Sequence, residues 1–240
     1  MDKDLFVYFS SPDPDCKNLM AYRGVKKMIE AGIIKEEDWK CKTNNKDSLA
    51  KNYNEIIHDP QTTGKILLLV HSDLIVDDLF VKEKLNARFE RNKNACVVGI
   101  AGGKKIANLP RRYELWHLMT PKGSHLGEVT NNATEDILST VGTTRFGGHG
   151  ERAIIIDGCF MAIDVDRIRK FGVTFDENCP SGFHFYDLIF SLRCYWAGAE
   201  IYVDPIHVLH KSVGLVNVSG DFLVGNQYFK NNYLSKLWKK

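Results

Sequence analysis

The chain has 240 residues, 44% of them hydrophobic, which is enough for one sizeable core or two small ones. Its formal net charge of +2 argues against a broad electrostatic footprint for nucleic acid, and the basic cluster Lys236, Lys239 and Lys240 reads as a solvated tail. There is no apolar run of bilayer length and no signal-peptide core, and six scattered cysteines without a C-x-x-C pair argue against structural zinc and fit reduced thiols in a cytoplasmic protein.

Residues 5–9 read as a strand that ends in the turn Ser10-Ser-Pro-Asp-Pro14. A helix follows, with Ala21, Val25, Met28 and Ile29 on one face and Gly32 as its stop. Residues 39–43 form a short strand closed by Asn44-Asn45, and a second helix carries Leu49, Tyr53, Ile56 and Ile57 at helical spacing. The apolar run 65–70 is a buried strand that ends abruptly in His71-Ser72-Asp73. A third helix starts at Asp77-Asp78, with Val81, Leu85 and Phe89 inward, and residues 95–100 form the next strand. This alternation predicts an α/β domain with a doubly wound, mostly parallel sheet.

Residues 102–151 break the rhythm. They are rich in Gly, Thr and Asn, end in Phe146-Gly-Gly-His-Gly150, and read mostly as a long, variable loop. Regular structure resumes with a strand at 152–156, which runs through Asp157-Gly158 into another at 159–163. A helix from about His184 to Ala197 buries Leu188, Leu192 and Tyr195, and Gly198 closes it; Trp196 reads as core and Arg193 as one half of a structural ion pair. A short strand at 200–203 turns at Asp204-Pro205, and a C-terminal helix carries Phe222, Phe229, Tyr233, Leu234, Leu237 and Trp238. The single domain thus divides into a first half (1–101), the variable region (102–151), a second half (152–220) and the C-terminal helix (221–240).

The strand end at His71 and Asp73 is the first chemical lead. The two residues are two apart, so on an extended backbone they project to the same side. Imidazole plus carboxylate suits a divalent cation of the manganese or zinc type, and a strand's carboxyl end is where open α/β sheets build sites. Ser10 sits at the equivalent edge of the first strand, a place for nucleotide contacts, and Asn44, Asn45 and Asn54 offer amides able to read a base or ribose edge. Trp116, in the long loop beside His117, could stack on an acceptor sugar.

The order of strand, His71-Ser72-Asp73, helix, strand, long segment, Asp157-Gly158, Tyr186-Asp187 with Arg193 six residues on, Val203-Asp204-Pro205 and His210 resembles the GT-A fold glycosyltransferases, above all family 2 and its small stand-alone relatives. The resemblance covers most of the chain except residues 102–151. It implies a nucleotide-diphospho-sugar transferase fold and a metal-dependent transfer of a sugar from a nucleotide-sugar donor, UDP-linked by family habit, to an acceptor hydroxyl with inversion. It puts His71-Ser72-Asp73 where the family has its Asp-x-Asp motif, with Asp73 as a ligand of Mn2+ (or Mg2+) and His71 in place of the first Asp. It makes His210, after the last strand, a further metal ligand. It makes Asp187 the catalytic base, with Tyr186 where the family has Glu. Ser72, Asp157 and Gly158 lie against the donor, and Asn54 falls in the family's second-helix region.

The competing expectation from another class is a nucleotide- or sugar-binding protein of the same fold without turnover. A sugar-phosphate nucleotidyltransferase is disfavoured, because the turn Ser10-Ser-Pro-Asp-Pro14 with the following Asp15 carries two acids and no glycine where that chemistry wants a Gly-rich basic loop.

Overall fold

The computed structural model describes residues 2–109, 111–131, 142–211, 218 and 220–237. Its strands are β1 (Leu5–Ser10), β2 (Trp39–Lys42), β3 (Ile66–Val70), β4 (Leu74–Val76), β5 (Ala95–Gly99), β6 (Ala101–Gly103), β7 (His125–Asn131), β8 (Gly142–Arg145), β9 (Glu151–Ala153), β10 (Ile155–Ile156), β11 (Phe160–Asp164), β12 (Glu200–Val203) and β13 (Val208–His210). The helices are α1 (Met20–Glu30), α2 (Leu49–His58), α3 (Val81–Arg91), α4 (Trp116–Met119), α5 (Val165–Lys170), α6 (Tyr186–Ala197) and α7 (Gly220–Phe229), which continues through a wider turn at Lys230–Leu234 into α8 (Ser235–Leu237). None of the helices among the described residues is long and apolar enough to cross a membrane.

The chain is α/β. A seven-stranded sheet has the order β2-β1-β3-β11-β5-β12-β9, in which β1, β2, β3, β5 and β12 share a direction and β11 and β9 oppose it. Its strands β3 and β5 carry no polar side chain because both faces are covered. In β3, Ile66, Leu68 and Val70 face one core, shared with Val25 and Met28 of α1 and Leu85 and Phe89 of α3. Leu67 and Leu69 face the other, with Tyr53 and Ile57 of α2 and Ile168 of α5.

Residues 102–151 are not mostly loop. A second sheet, β10-β6-β7-β13-β4 with β8 on β7, is built largely from them. The Gly and Thr content that reads as loop is needed for close backbone packing. Gly127, at φ 84°, lies against the carbonyl of Ile100, where a Cβ would collide. The run expected as one strand at 152–156 is two, β9 on the first sheet and β10 on the second.

The third helix starts at Val81, not Asp77, because residues 74–76 are spent on β4 and Asp78 caps the turn ahead of it through Phe80 N–H. In α6, Leu188 and Leu192 are buried as expected, but Tyr195 is exposed, and so is Trp196, which stacks on Tyr233 instead of entering the core. Arg193 donates to Thr174 Oγ1 at 3.1 Å rather than to a carboxylate. The C-terminal helix forms as expected through Leu237; Trp238 lies outside the described residues. All six cysteines are free thiols.

Candidate active site

Two strand pairings assemble the site. β11 runs antiparallel beside β3 with Phe160 opposite Val70, and His71 N–H donates to Cys159 O at 3.0 Å. The chain therefore enters β11 through Asp157-Gly158 beside the point where it leaves β3 through His71. β13 runs antiparallel to β4 with His210 opposite Leu74, and Lys211 N–H donates to Asp73 O at 2.9 Å. His210 is thus a residue of a strand, not one that follows the last strand, and that pairing sets it against Asp73.

His71, Asp73 and His210 each present a ligand atom within 4.8 Å of the others. His210 Nε2 lies 3.4 Å from Asp73 Oδ1, and the rings of His71 and His210 are 5.9 Å apart. Two imidazoles and a carboxylate at the open end of a sheet suit a borderline divalent cation such as manganese or zinc. Burial pushes the His71 imidazole below its ordinary pKa, which keeps it neutral and able to ligate, against the opposing pull of Asp73. Burial works to raise the Asp73 carboxyl, but hydrogen bonding and charge from His210 and His71 outweigh it and hold the pKa below the ordinary value.

These residues line a cleft of about 860 Å3 that also contains Ser10, Ser72, Asp157, Gly158 and Asp187. Asp187 occupies the first turn of α6, where the helix dipole favours the anion. Its surroundings reverse that preference. Burial, with the charge of Asp157 adding to it, raises the carboxyl to about 7, against the N–H groups of Leu188 and Gly158 that hydrogen-bond its oxygens at 2.8 and 3.0 Å. Each oxygen of Asp157 accepts a hydrogen bond from the protein. Its Oδ2 accepts from Trp116 Nε1 at 2.7 Å and its Oδ1 from Cys159 N–H at 2.9 Å. Trp116 is therefore not on a loop but in α4, where it lines the cleft largely buried with its ring N–H committed to Asp157. The residue before α6, Phe185, is buried at φ 67°, a strained conformation for a side chain of that bulk and one that clusters at functional sites.

Three amides expected near the nucleotide lie elsewhere. Asn44 is exposed in a left-handed turn. Asn45 closes a turn, accepting from Asp47 N–H and donating to Asp47 O. Asn54 bonds Phe175 and Glu177 and lines a separate small pocket, because on α2 it points away from the sheet edge. Asn52, not Asn54, is the asparagine of α2 that faces the end of β1. It is buried, accepts from Lys42 Nζ at 2.7 Å and reaches Ser10 Oγ at 3.5 Å. The signal was present: Leu49, Asn52, Tyr53 and Ile56 follow the i, i+3, i+4, i+7 stripe, so a polar residue lay on the inward face. Tyr53, Glu114 and Phe222 also line the cleft and were not anticipated, whereas Phe183, His184 and Phe185 line it as the aromatic run ahead of Asp187 suggests.

The α/β sheet thus gathers a His-Asp-His group at its strand ends, where open sheets of this class bind ligands, with the Asp187 carboxylate facing the same cleft from the start of α6. A glycosyltransferase-like family matches residues 37–226, and the chain belongs to that family, whose members are nucleotide-sugar-using transferases of the GT-A, family 2-like kind. No curated protein matches the chain. Among solved structures, CMP:2-keto-3-deoxy-manno-octonic acid synthetase complexed with CTP is similar at 10% identity, covering 85% of this chain and 90% of its own, with a TM-score of 0.37. Likeness at that level adds nothing to the assignment.

Proposed function

We propose that the protein is an inverting, metal-dependent glycosyltransferase that moves a sugar from a nucleoside-diphosphate donor, UDP-linked as in the family, to an acceptor hydroxyl. The observation that supports this most is that one cleft holds both the His71–Asp73–His210 group and a carboxyl raised to about 7 at Asp187. A base poised near neutral pH is the kind that general-base catalysis favours.

His71, Asp73 and His210 would hold Mn2+, which tolerates imidazole donors better than Mg2+ does, and when bound it would neutralise charge growing on the diphosphate. Asp187 accepts the proton of the acceptor hydroxyl as that oxygen bonds to the anomeric carbon. The bond from that carbon to the diphosphate oxygen breaks, and its electron pair leaves with the nucleoside diphosphate. A single displacement of this kind inverts the anomeric centre. Ser10, steadied by Asn52, sits at the strand edge that suits the nucleotide, and Ser72, Asp157 and Gly158 border the donor. The free thiols of the six cysteines suit a reducing compartment such as the cytoplasm.

Calorimetry against UDP, GDP, CDP and ADP, each with and without Mn2+, tests the reading. Metal-enhanced binding of one diphosphate supports it. Binding that ignores the metal counts against the role of Asp73, and donor binding without transfer to any acceptor favours a module that only binds.

A further inference from the structure

We propose that Tyr186 is a positioning residue that fixes the tautomer of His71, placing the ring proton on Nε2 and leaving Nδ1 as the nitrogen whose lone pair can serve a cation. The inference rests on the cation-site reading above and deepens it.

Tyr186 Oη makes two short contacts. It lies 2.6 Å from His71 Nε2 and 3.0 Å from the carbonyl oxygen of Gly158. A phenol has one hydrogen to give, and a carbonyl can only accept. If that hydrogen goes to Gly158 O, the contact with His71 is a hydrogen bond only when Nε2 carries a proton and donates to the phenol oxygen. The opposite tautomer would direct the phenol hydrogen at a bare Nε2. Gly158 O and the phenol oxygen would then face each other 3.0 Å apart with no hydrogen between them. One arrangement satisfies both contacts, and it is Nε2–H on His71.

The surroundings hold this relay in place. Tyr186 is buried, with its ring edge-on to Tyr53 at 5.5 Å between centroids. Gly158 carries no Cβ, and one built there would collide with the Tyr186 hydroxyl. On the other side, His71 packs against the Phe183 ring at 5.6 Å and the His210 ring at 5.9 Å. A ligating histidine commonly has its second nitrogen anchored in this way, and loss of the anchor weakens metal binding about 10- to 100-fold.

The test has two parts. Nitrogen-15 NMR of the full-length, metal-free protein at mildly alkaline pH, where the ring is neutral, reads the His71 tautomer directly. The expected result is Nε2–H in the wild type and a mixture or reversal in Tyr186→Phe. Titration with Mn2+ alone should then show about tenfold weaker binding in Tyr186→Phe at an unchanged folded fraction. A wild-type spectrum showing Nδ1–H overturns the proposal, and needs no variant. So does a Tyr186→Phe protein with both the tautomer and the Mn2+ affinity of the wild type. If Tyr186→Phe shifts the tautomer but neither protein binds Mn2+, the hold of Tyr186 on the ring is upheld and the cation site itself is refuted.

Discussion

Asp187 and Gly158 are tied across the cleft: Gly158 N–H donates to Asp187 Oδ2 at 3.0 Å, which joins the loop entering β11 to the first turn of α6. This bond favours the charged carboxylate, yet burial prevails and the group sits near 7. A raised carboxyl pKa stabilises the fold fully below the unfolded value, 3.8, and that contribution is lost as pH rises through about 7. The loss is at most about 4 kcal/mol, and smaller to the extent that water in the cleft solvates the group. Asp187→Asn cannot ionise, and it gives up one acceptor at a fixed cost of about 1–3 kcal/mol. Thermal unfolding of both proteins from pH about 4 to about 8 should therefore show the variant gaining on the wild type as pH rises. Transfer should fall by about 10²- to 10⁴-fold while donor binding persists. Equal turnover would refute the role of Asp187.

The same group sets a pH profile. As a base it must be deprotonated, so kcat/KM should rise about tenfold per pH unit below about 7 and level off above it. A flat profile from pH about 5 to about 8, measured at saturating metal, would mean that no group of this pKa takes the proton.

Asp73 lies between two imidazoles, and the cation reading depends on it. Asp73→Asn removes the charge but keeps the shape. UDP affinity in the presence of Mn2+ should drop to the metal-free level, and His210→Ala should do the same. Calorimetry with and without Mn2+ checks both. Since Asp73 is partly exposed and keeps its backbone link to Lys211, the melting temperature should change little.

Much of this was legible in the sequence, and the gaps have physical causes. β3 could be read because a strand covered on both faces is apolar at each position, and its polar end then stands out at His71. α2 could be read from its stripe, although Asn52 on that stripe was passed over for Asn54. The second sheet could not be read. β4, β6 and β13 have three residues each, too short for a period, and β7 carries Gly127 for close packing where a strand would ordinarily carry bulk. The pairing of β4 with β13 joins Asp73 to His210 across most of the chain, and only the resemblance to a family suggested it. The raised carboxyl of Asp187 could not be read either, because local sequence reports a first-turn position and its helix dipole but not the burial that overrides them.

Gly158 offers the most discriminating substitution in the cleft. A Cβ there would strike the Tyr186 hydroxyl and come within 2.8 Å of Asp187 Cβ. Ile156 and Cys159, which flank the loop in sequence, are fully buried and leave it little room to shift, and overpacking of this kind costs about 1–3 kcal/mol. The side chains that yield are those of Tyr186 and Asp187. Gly158→Ala should thus lower the melting temperature modestly while reducing kcat/KM more than a hundredfold, since a displacement of about 1 Å at a reacting group has that effect. Both losses should be read in the same preparation, by thermal unfolding and steady-state kinetics. A variant that loses stability but keeps full turnover would show that neither Asp187 nor Tyr186 needs its present position.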